Sequence, residues 1–126
     1  MDIDLGGFSA EQQQALFDLL ILAMYADGHL SSAEDERLQQ LLLAMGYQEE
    51  FARQREFDAA VTRIRPSIQS IWRAKTHAIE LAEIFTSRDQ HKLVYQAVQQ
   101  IMTSDDQHVS TWENTLLTEL RLKFRM

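Results

Sequence analysis

Apolar residues recur along this chain at the three- and four-residue spacing of amphipathic helices, and the two-residue alternation of strands is absent. The pattern predicts six helices, at approximately 9–26, 31–45, 48–64, 67–86, 89–104 and 111–124. Pro66 separates the third helix from the fourth, because a proline pushes the residue before it away from helical angles. We therefore predict an all-α fold, a compact single domain of about six helices.

The first predicted helix is apolar on nearly all sides, and Asp18 is its one charged residue between positions 15 and 26. A helix of this kind usually lies at the centre of a domain. Ser9 and Gln12 have the spacing of a capping box, so we place the start of the helix there.

The fourth predicted helix carries the cleanest amphipathic stripe. We predict that its apolar residues face the core, and they are Ile68, Ile71, Trp72, Ala78, Ile79, Ala82 and Phe85. Lys75 lies within the same stripe, where it could extend its amine to water, lie near an edge or pair with an acid. We favour the first arrangement, since buried unpaired lysines are rare.

An eight-residue segment occurs twice in the chain, 79 positions apart. The two copies are DGHLSSAE at 27–34 and DQHVSTWE at 106–113, and the apolar positions on both sides repeat with the same offset. Such self-similarity indicates two copies of one helix-turn-helix unit. Two copies are too few for a solenoid, so a duplicated compact domain is the expected result.

The duplication defines the organisation of the single domain, 1–126. Its repeat units are 15–46 and 93–124, and an insert of two helices at 48–86 lies between them.

Each copy of the segment has the pattern of a helix N-terminal capping box. Ser31 with Glu34, and Ser110 with Glu113, can satisfy backbone amides that a helix start leaves without partners. Capping does not explain why each glutamate also lies on the apolar stripe of its helix. The glutamates are therefore candidates for a second role.

The aspartates before these boxes pose a similar question. Asp27 continues the inward row of the first helix at its C-terminal end, where the helix dipole disfavours a negative charge. Asp105 continues the equivalent row of the fifth helix, and Asp106 lies beside it. Such carboxylates need a compensating partner, which could be backbone amides of the next helix, a basic side chain or a bound cation.

Oxygen ligands at this density suit the hard cations Ca²⁺, Mg²⁺ and Mn²⁺. The candidate metal ligands are Asp27, Glu34, Asp105, Asp106 and Glu113. His29 and His108 occupy equivalent turn positions and are weaker candidates, because turn histidines are commonly exposed. The interval from Asp27 to Glu34 is too short for an EF-hand loop.

The first copy resembles a known family signature. The segment from Ala23 to Glu34, followed by Leu38, Leu41 and Gly46, is similar to the motif of the TerB-like (tellurite-resistance protein B) family, which has an Ala-Asp-Gly turn, an apolar residue and a glutamate opening the next helix, in two copies. The likeness covers about half of the chain. The second turn departs from the motif, because 104–107 lacks glycine and has an extra acid, which makes Asp105 and Asp106 interchangeable candidates.

The resemblance implies an all-helical cytoplasmic domain that binds divalent metal through acidic residues. By position these would be Asp27 and Glu34 in the first copy and Asp106 and Glu113 in the second. It also implies a link to tellurite or other chemical stress, often beside membrane-embedded partners.

Composition and charge narrow the classes of function. The chain has no cysteine, which excludes disulfides and thiolate metal sites. The net charge is −7, and it is uneven: 1–50 carry ten acids and one base (−9), 51–75 carry six bases and two acids (+4), and 76–126 carry five bases and seven acids (−2). The overall negative charge disfavours nucleic-acid binding.

We therefore expect a non-enzymatic module that binds a divalent cation or a protein partner at the paired acidic turns. The alternative is a metal-free adaptor whose basic segment, 51–75, meets a protein partner or an anionic membrane surface. An enzyme is disfavoured, because the chain has no glycine-rich phosphate loop and no recognisable Ser-His-Asp grouping. The acidic N-terminal start favours a cytoplasmic location, and a homodimer is compatible with the sequence.

Overall fold

The computed structural model of the protein describes residues 7–25, 32–103 and 111–125. Over these residues the chain is helical, with no strand, which confirms the all-α prediction. The α-helices are α1 (Ala10–Met24), α2 (Ser32–Ala44), α3 (Glu50–Ile64), α4 (Ile71–Ala82), α5 (Arg88–Thr103) and α6 (Thr111–Phe124), and a short 3₁₀ helix (Arg65–Gln69) joins α3 to α4.

The predicted capping box at the start of α1 is confirmed. The backbone amide of Gln12 donates to the Ser9 hydroxyl at 3.2 Å, and the amide of Ser9 donates to the Gln12 side chain at 3.0 Å. Phe8, just before the cap, packs edge-on against Phe85 with ring centroids 5.5 Å apart. The cap and this contact fix where α1 enters the core.

Helix α1 is the centre of the fold. Every residue from 15 to 24 is buried, and α1 contacts α2, α3, α4 and α5. The sequence predicts this burial, because a helix with apolar side chains on all faces can remove them from water only when other helices enclose it.

The one charged residue in this buried stretch, Asp18, is neutralised by Arg63 of α3. Nη2 of Arg63 lies 2.7 Å from Oδ1 of Asp18, and Nε lies 3.1 Å from Oδ2, so the guanidinium grips the carboxylate at both oxygens. The hydrogen bond to Asp18 raises the pKa of Arg63. The Asp18 side chain is 5% exposed and that of Arg63 is 33% exposed, so only the carboxylate depends wholly on its partner.

Helices α1 and α5 start at a shared contact. The amides of Gln12 and Gln90 donate to each other, at 3.3 Å and 3.1 Å. Each glutamine lies in the first turn of its helix, and the two helices pack together. Gln12 also donates to the Ile84 carbonyl at 3.3 Å, which ties the pair to the end of α4.

The fourth predicted helix is wrong at its start, and so is the placement of Trp72 in the core. Pro66 lies in the first turn of the 3₁₀ helix, which begins at Arg65, and Ser70 caps a new helix by accepting the Arg73 amide at 3.2 Å, so α4 begins at Ile71 instead of 67. The face that α4 buries is centred on Ala74 and Ala78. Trp72 precedes Ala74 by two residues, which places it on the opposite side, and it is 71% exposed.

Phe85, from the same predicted stripe, is buried as expected. Lys75 differs from the expectation, because it pairs with an acid instead of only reaching water. Its Nζ lies 3.3 Å from Oε1 of Glu119 on α6 and 5.5 Å from the centroid of the Trp72 ring. The ion pair joins α4 to α6, as does a second one between Glu83 and Lys123 at 3.2 Å.

None of the helices in the described residues has the length and apolar character that a membrane crossing requires.

The Asp18–Arg63 pair should respond unequally to loss of each partner. Arg63→Met leaves a buried carboxylate without a counter-charge, and we expect it to lower the free energy of unfolding by about 3 kcal/mol. Asp18→Leu should cost less, because the partly exposed Arg63 can turn to water. Adding Asp18→Leu to Arg63→Met should recover most of the loss. Urea unfolding of the three variants measures these differences, and an equal or larger loss for Asp18→Leu alone contradicts the assignment.

Candidate functional site

The predicted acidic turns lie outside the described residues. This holds for Asp27, His29, Asp105, Asp106 and His108, and for the side chains of Glu34 and Glu113. Their role as metal ligands therefore stays a prediction.

The structure does describe the helices on both sides of each turn. Helix α1 ends at Met24 and α5 at Thr103, and α2 begins at Ser32 and α6 at Thr111. Seven residues, 25–31, separate the first two helices, and seven, 104–110, separate the second two. The helix bounds around the turns thus differ by the same 79 positions as the repeated segment.

Within the described ranges, no three His, Asp or Glu side chains are grouped so that they could hold one metal ion.

Three of the six basic residues in the segment 51–75 make contacts that hold the fold together. Arg63 and Lys75 form the ion pairs described above. Arg53 donates to the carbonyls of Tyr47 and Gln48, at 3.1 and 2.9 Å, and so closes the loop after α2. The remaining bases, Arg55, Arg65 and Arg73, are exposed.

One of these exposed arginines, Arg73, lines an open groove between the 3₁₀ helix and α4. The groove has a volume of about 460 Å³, and its lining residues are Pro66, Ser67, Trp72, Arg73, Thr76, His77 and Glu80. Arg65 immediately precedes its first lining residue. Sequence reasoning missed this groove, because it placed Trp72 in the core; the Ser70 cap is the signal that could have shown where α4 starts.

A serine and a histidine meet in this groove. Oγ of Ser67 lies 2.6 Å from Nδ1 of His77, and the contact joins the 3₁₀ helix to α4. A catalytic Ser–His pair needs a third group that orients the histidine. Among the described residues no carboxylate bonds to His77, so this hydrogen bond does not by itself build a nucleophile.

His91 also has a structural contact set. Its Nε2 lies 2.8 Å from the Phe85 carbonyl oxygen, and its ring stacks on Phe124 with centroids 4.3 Å apart. It therefore fastens the start of α5 to the end of α6.

A second groove, of about 350 Å³, lies beside α1. Its lining residues are Ala10, Glu11, Gln14, Ala15, Asp18, Leu81 and Ile84. The Asp18 carboxylate at this groove is already held by Arg63, so it offers no free charge to a ligand.

Tyr47 has an altered acidity near the same ion pair. It packs edge-on against Phe17, with ring centroids 5.9 Å apart. Burial raises the pKa of Tyr47, Glu56 and Asp18 raise it further, and Arg63 opposes them. The folded protein therefore favours the neutral phenol.

This shift predicts a loss of stability in alkali. The contribution of Tyr47 is complete below its ordinary pKa of 10.0 and disappears as the pH rises through the higher value of the folded state. We expect Tyr47→Phe to weaken the fall in the free energy of unfolding above about pH 10. Urea unfolding across this range measures it, and parallel curves for the two proteins contradict the assignment.

Comparison of the chain with protein-family models, with curated proteins and with solved structures found no match.

Proposed function

We propose that this protein is a non-enzymatic, TerB-like binding module that holds a divalent cation or a partner at its two acidic turns. The observation that carries the proposal is the shared start of α1 and α5, because these helices lead into the two turns. The Gln12–Gln90 contact joins their first turns.

The lengths of the two helices support a meeting of the turns. Helix α1 has 15 residues and α5 has 16. At 1.5 Å per residue each extends about 22–24 Å. Helices that begin together, pack together and differ in length by one residue end near each other if they run in the same direction. The turns at 25–31 and 104–110 would then lie at one end of the molecule.

The chemistry of the candidate ligands fits a hard cation. Asp27, Glu34, Asp105, Asp106 and Glu113 supply only carboxylate oxygens, which Ca²⁺, Mg²⁺ and Mn²⁺ prefer. A bound cation would provide the positive charge that aspartates at helix C-terminal ends need. His29 and His108 are the weaker candidates beside them.

The family resemblance supports a wider role. It favours a cytoplasmic protein in the response to tellurite or other chemical stress, working beside a protein partner that is itself membrane-associated. The partner would bind the same acidic turns, with the cation or in its place.

Thermal unfolding with Ca²⁺, Mg²⁺, Mn²⁺ and no metal tests the cation. A cation that binds only the native state should raise stability by about 2.7 kcal/mol at roughly 100 times its Kd. The triple variant Asp27→Asn/Asp105→Asn/Asp106→Asn leaves the residues of both predicted capping boxes unchanged and should lose this increase. The control Asp35→Asn/Glu36→Gln removes two exposed acids of α2 and should keep it.

Two results would contradict cation binding at the acidic turns. One is the absence of any increase in chelator-treated wild-type protein. The other is an equal increase in the triple variant and the control, which would show that the metal binds general surface charge.

The second candidate function is the metal-free adaptor, and the groove at the 3₁₀ helix favours it. Trp72 is 71% exposed there, beside the exposed Arg73. An exposed aromatic ring with an arginine beside it suits a partner or membrane surface that is negatively charged and partly apolar.

Vesicle flotation tests the membrane form of the adaptor. Vesicles with phosphatidylserine should bind the protein, and salt should weaken the binding. Arg65→Gln/Arg73→Gln should lower the partition coefficient about 10- to 30-fold, since each arginine near such a surface contributes about 1 kcal/mol. The control Arg121→Gln/Arg125→Gln removes two exposed arginines, one in α6 and one directly after it. Equal binding to neutral vesicles contradicts this form.

A further inference from the structure

One exposed surface of the protein is basic and aromatic. The groove between the 3₁₀ helix and α4 presents Trp72, 71% exposed, with Arg73 beside it and Arg65 just before Pro66. Glu80 is the one acid among its lining residues. A ligand for this surface should therefore combine negative charge with an apolar side chain.

Another exposed surface has the opposite character. Phe51, near the start of α3, is 72% exposed, and it directly follows the exposed acids Glu49 and Glu50. Glu49 occupies the N-cap position of α3 but its side chain makes no capping hydrogen bond. We call Glu49, Glu50 and Phe51 the acidic knob. Its charge and its aromatic ring complement the groove.

The knob and the groove lie at opposite ends of α3. The helix has 15 residues, which is a length of about 22 Å, and the 3₁₀ helix that borders the groove follows it directly. A continuous exposed stripe connects the two ends, with the helical spacing of Phe51, Arg55, Asp58, Thr62 and Arg65. The knob of one molecule therefore cannot fill its own groove, but an antiparallel second α3 can bring one there.

We propose that two copies of this chain associate through antiparallel α3 helices, with the acidic knob of each copy in the groove of the other. Such a pairing is a closed two-fold dimer with two equivalent contacts. Each contact places Phe51 against Trp72 and the knob carboxylates beside Arg65 and Arg73.

The middle of the pairing is also favourable in charge. Aligning residue 51 with residue 65 of the second copy centres the pairing near Asp58. Arg55 of each copy then lies within one helical turn of Asp58 of the second copy, so the two like-charged aspartates at the centre each meet an arginine.

The size of the surface limits the affinity. One helix face with two knobs buries an area at the low end for specific complexes, below about 1,200 Å². The dimer should therefore be reversible and dependent on concentration. Salt should weaken it, because its polar contacts lie at a solvent-exposed rim.

Sedimentation velocity of the full chain over roughly a hundred-fold range of concentration tests the dimer. We expect a shift from monomer to dimer. The groove is the same one that the adaptor candidate uses, whereas the acidic turns take no part, so the dimer should form equally with metal and with chelator.

Charge reversal identifies the surface. Glu49→Lys/Glu50→Lys and Arg65→Glu/Arg73→Glu should each weaken self-association at least about ten-fold, since like charges then meet in both contacts. An equimolar mixture of the two variants should restore the dimer, because each knob again faces a groove of opposite charge. Damage to the fold of either variant cannot produce this restoration.

Apolar variants give the matched control. Phe51→Ser should weaken the dimer, and Leu122→Ser, which changes an equally exposed residue of α6 (68%), should leave it unchanged. The proposal is overturned by a monomer at every concentration. It is also overturned by a dimer that the charge reversals leave intact, or by a mixture of the two variants that stays monomeric. A monomer that still floats with anionic vesicles would reject the dimer and retain the adaptor.

Discussion

A helix with apolar side chains on every face can exist in water only when other helices surround it, and the structure follows from that constraint. Helix α1 is buried along residues 15–24, and four other helices pack against it. Its single buried charge, Asp18, would oppose this burial if it had no partner. Arg63 supplies the counter-charge. Its guanidinium reaches inward from α3 while part of its side chain stays in water. The ion pair thereby also fixes how α3 lies against α1.

Much of this fold could be predicted from the sequence, because helix periodicity and capping are local. Neighbouring residues alone were enough to predict the start of α1 at Ser9, the span of α6 and the burial of Phe85. Trp72 and Lys75 could not be placed in the same way. Their helix begins four residues later than the periodicity indicates, since Ser70 caps a helix that starts at Ile71. The partner of Lys75, Glu119, is distant in sequence, so local spacing gives no sign of it.

The candidate site, too, could be predicted from the sequence only in part. The repeated segment can be recognised in the sequence, and so can the unusual position of its acids at the ends of helices. Whether two turns 79 residues apart meet depends on the direction in which their helices run, which is a tertiary property. The contact between Gln12 and Gln90 is informative about this direction, and neither residue lies in the repeated segment. The groove at Trp72 was also beyond local reasoning, because a 3₁₀ helix and an α-helix together form it.

The proposed function requires that α1 and α5 run in the same direction from the Gln12–Gln90 contact, so that the two acidic turns share one end of the molecule. The chain has no cysteine, so the variant His29→Cys/His108→Cys offers two unique positions for spin labels, one in each turn. Pulsed electron paramagnetic resonance then measures the distance between them. If the two turns share one end of the molecule, the separation should be about 20 Å or less, whereas helices that diverge or run in opposite directions would separate the labels by more than about 30 Å, since each helix is about 22–24 Å long. A distance of that size would show that the turns do not form one site.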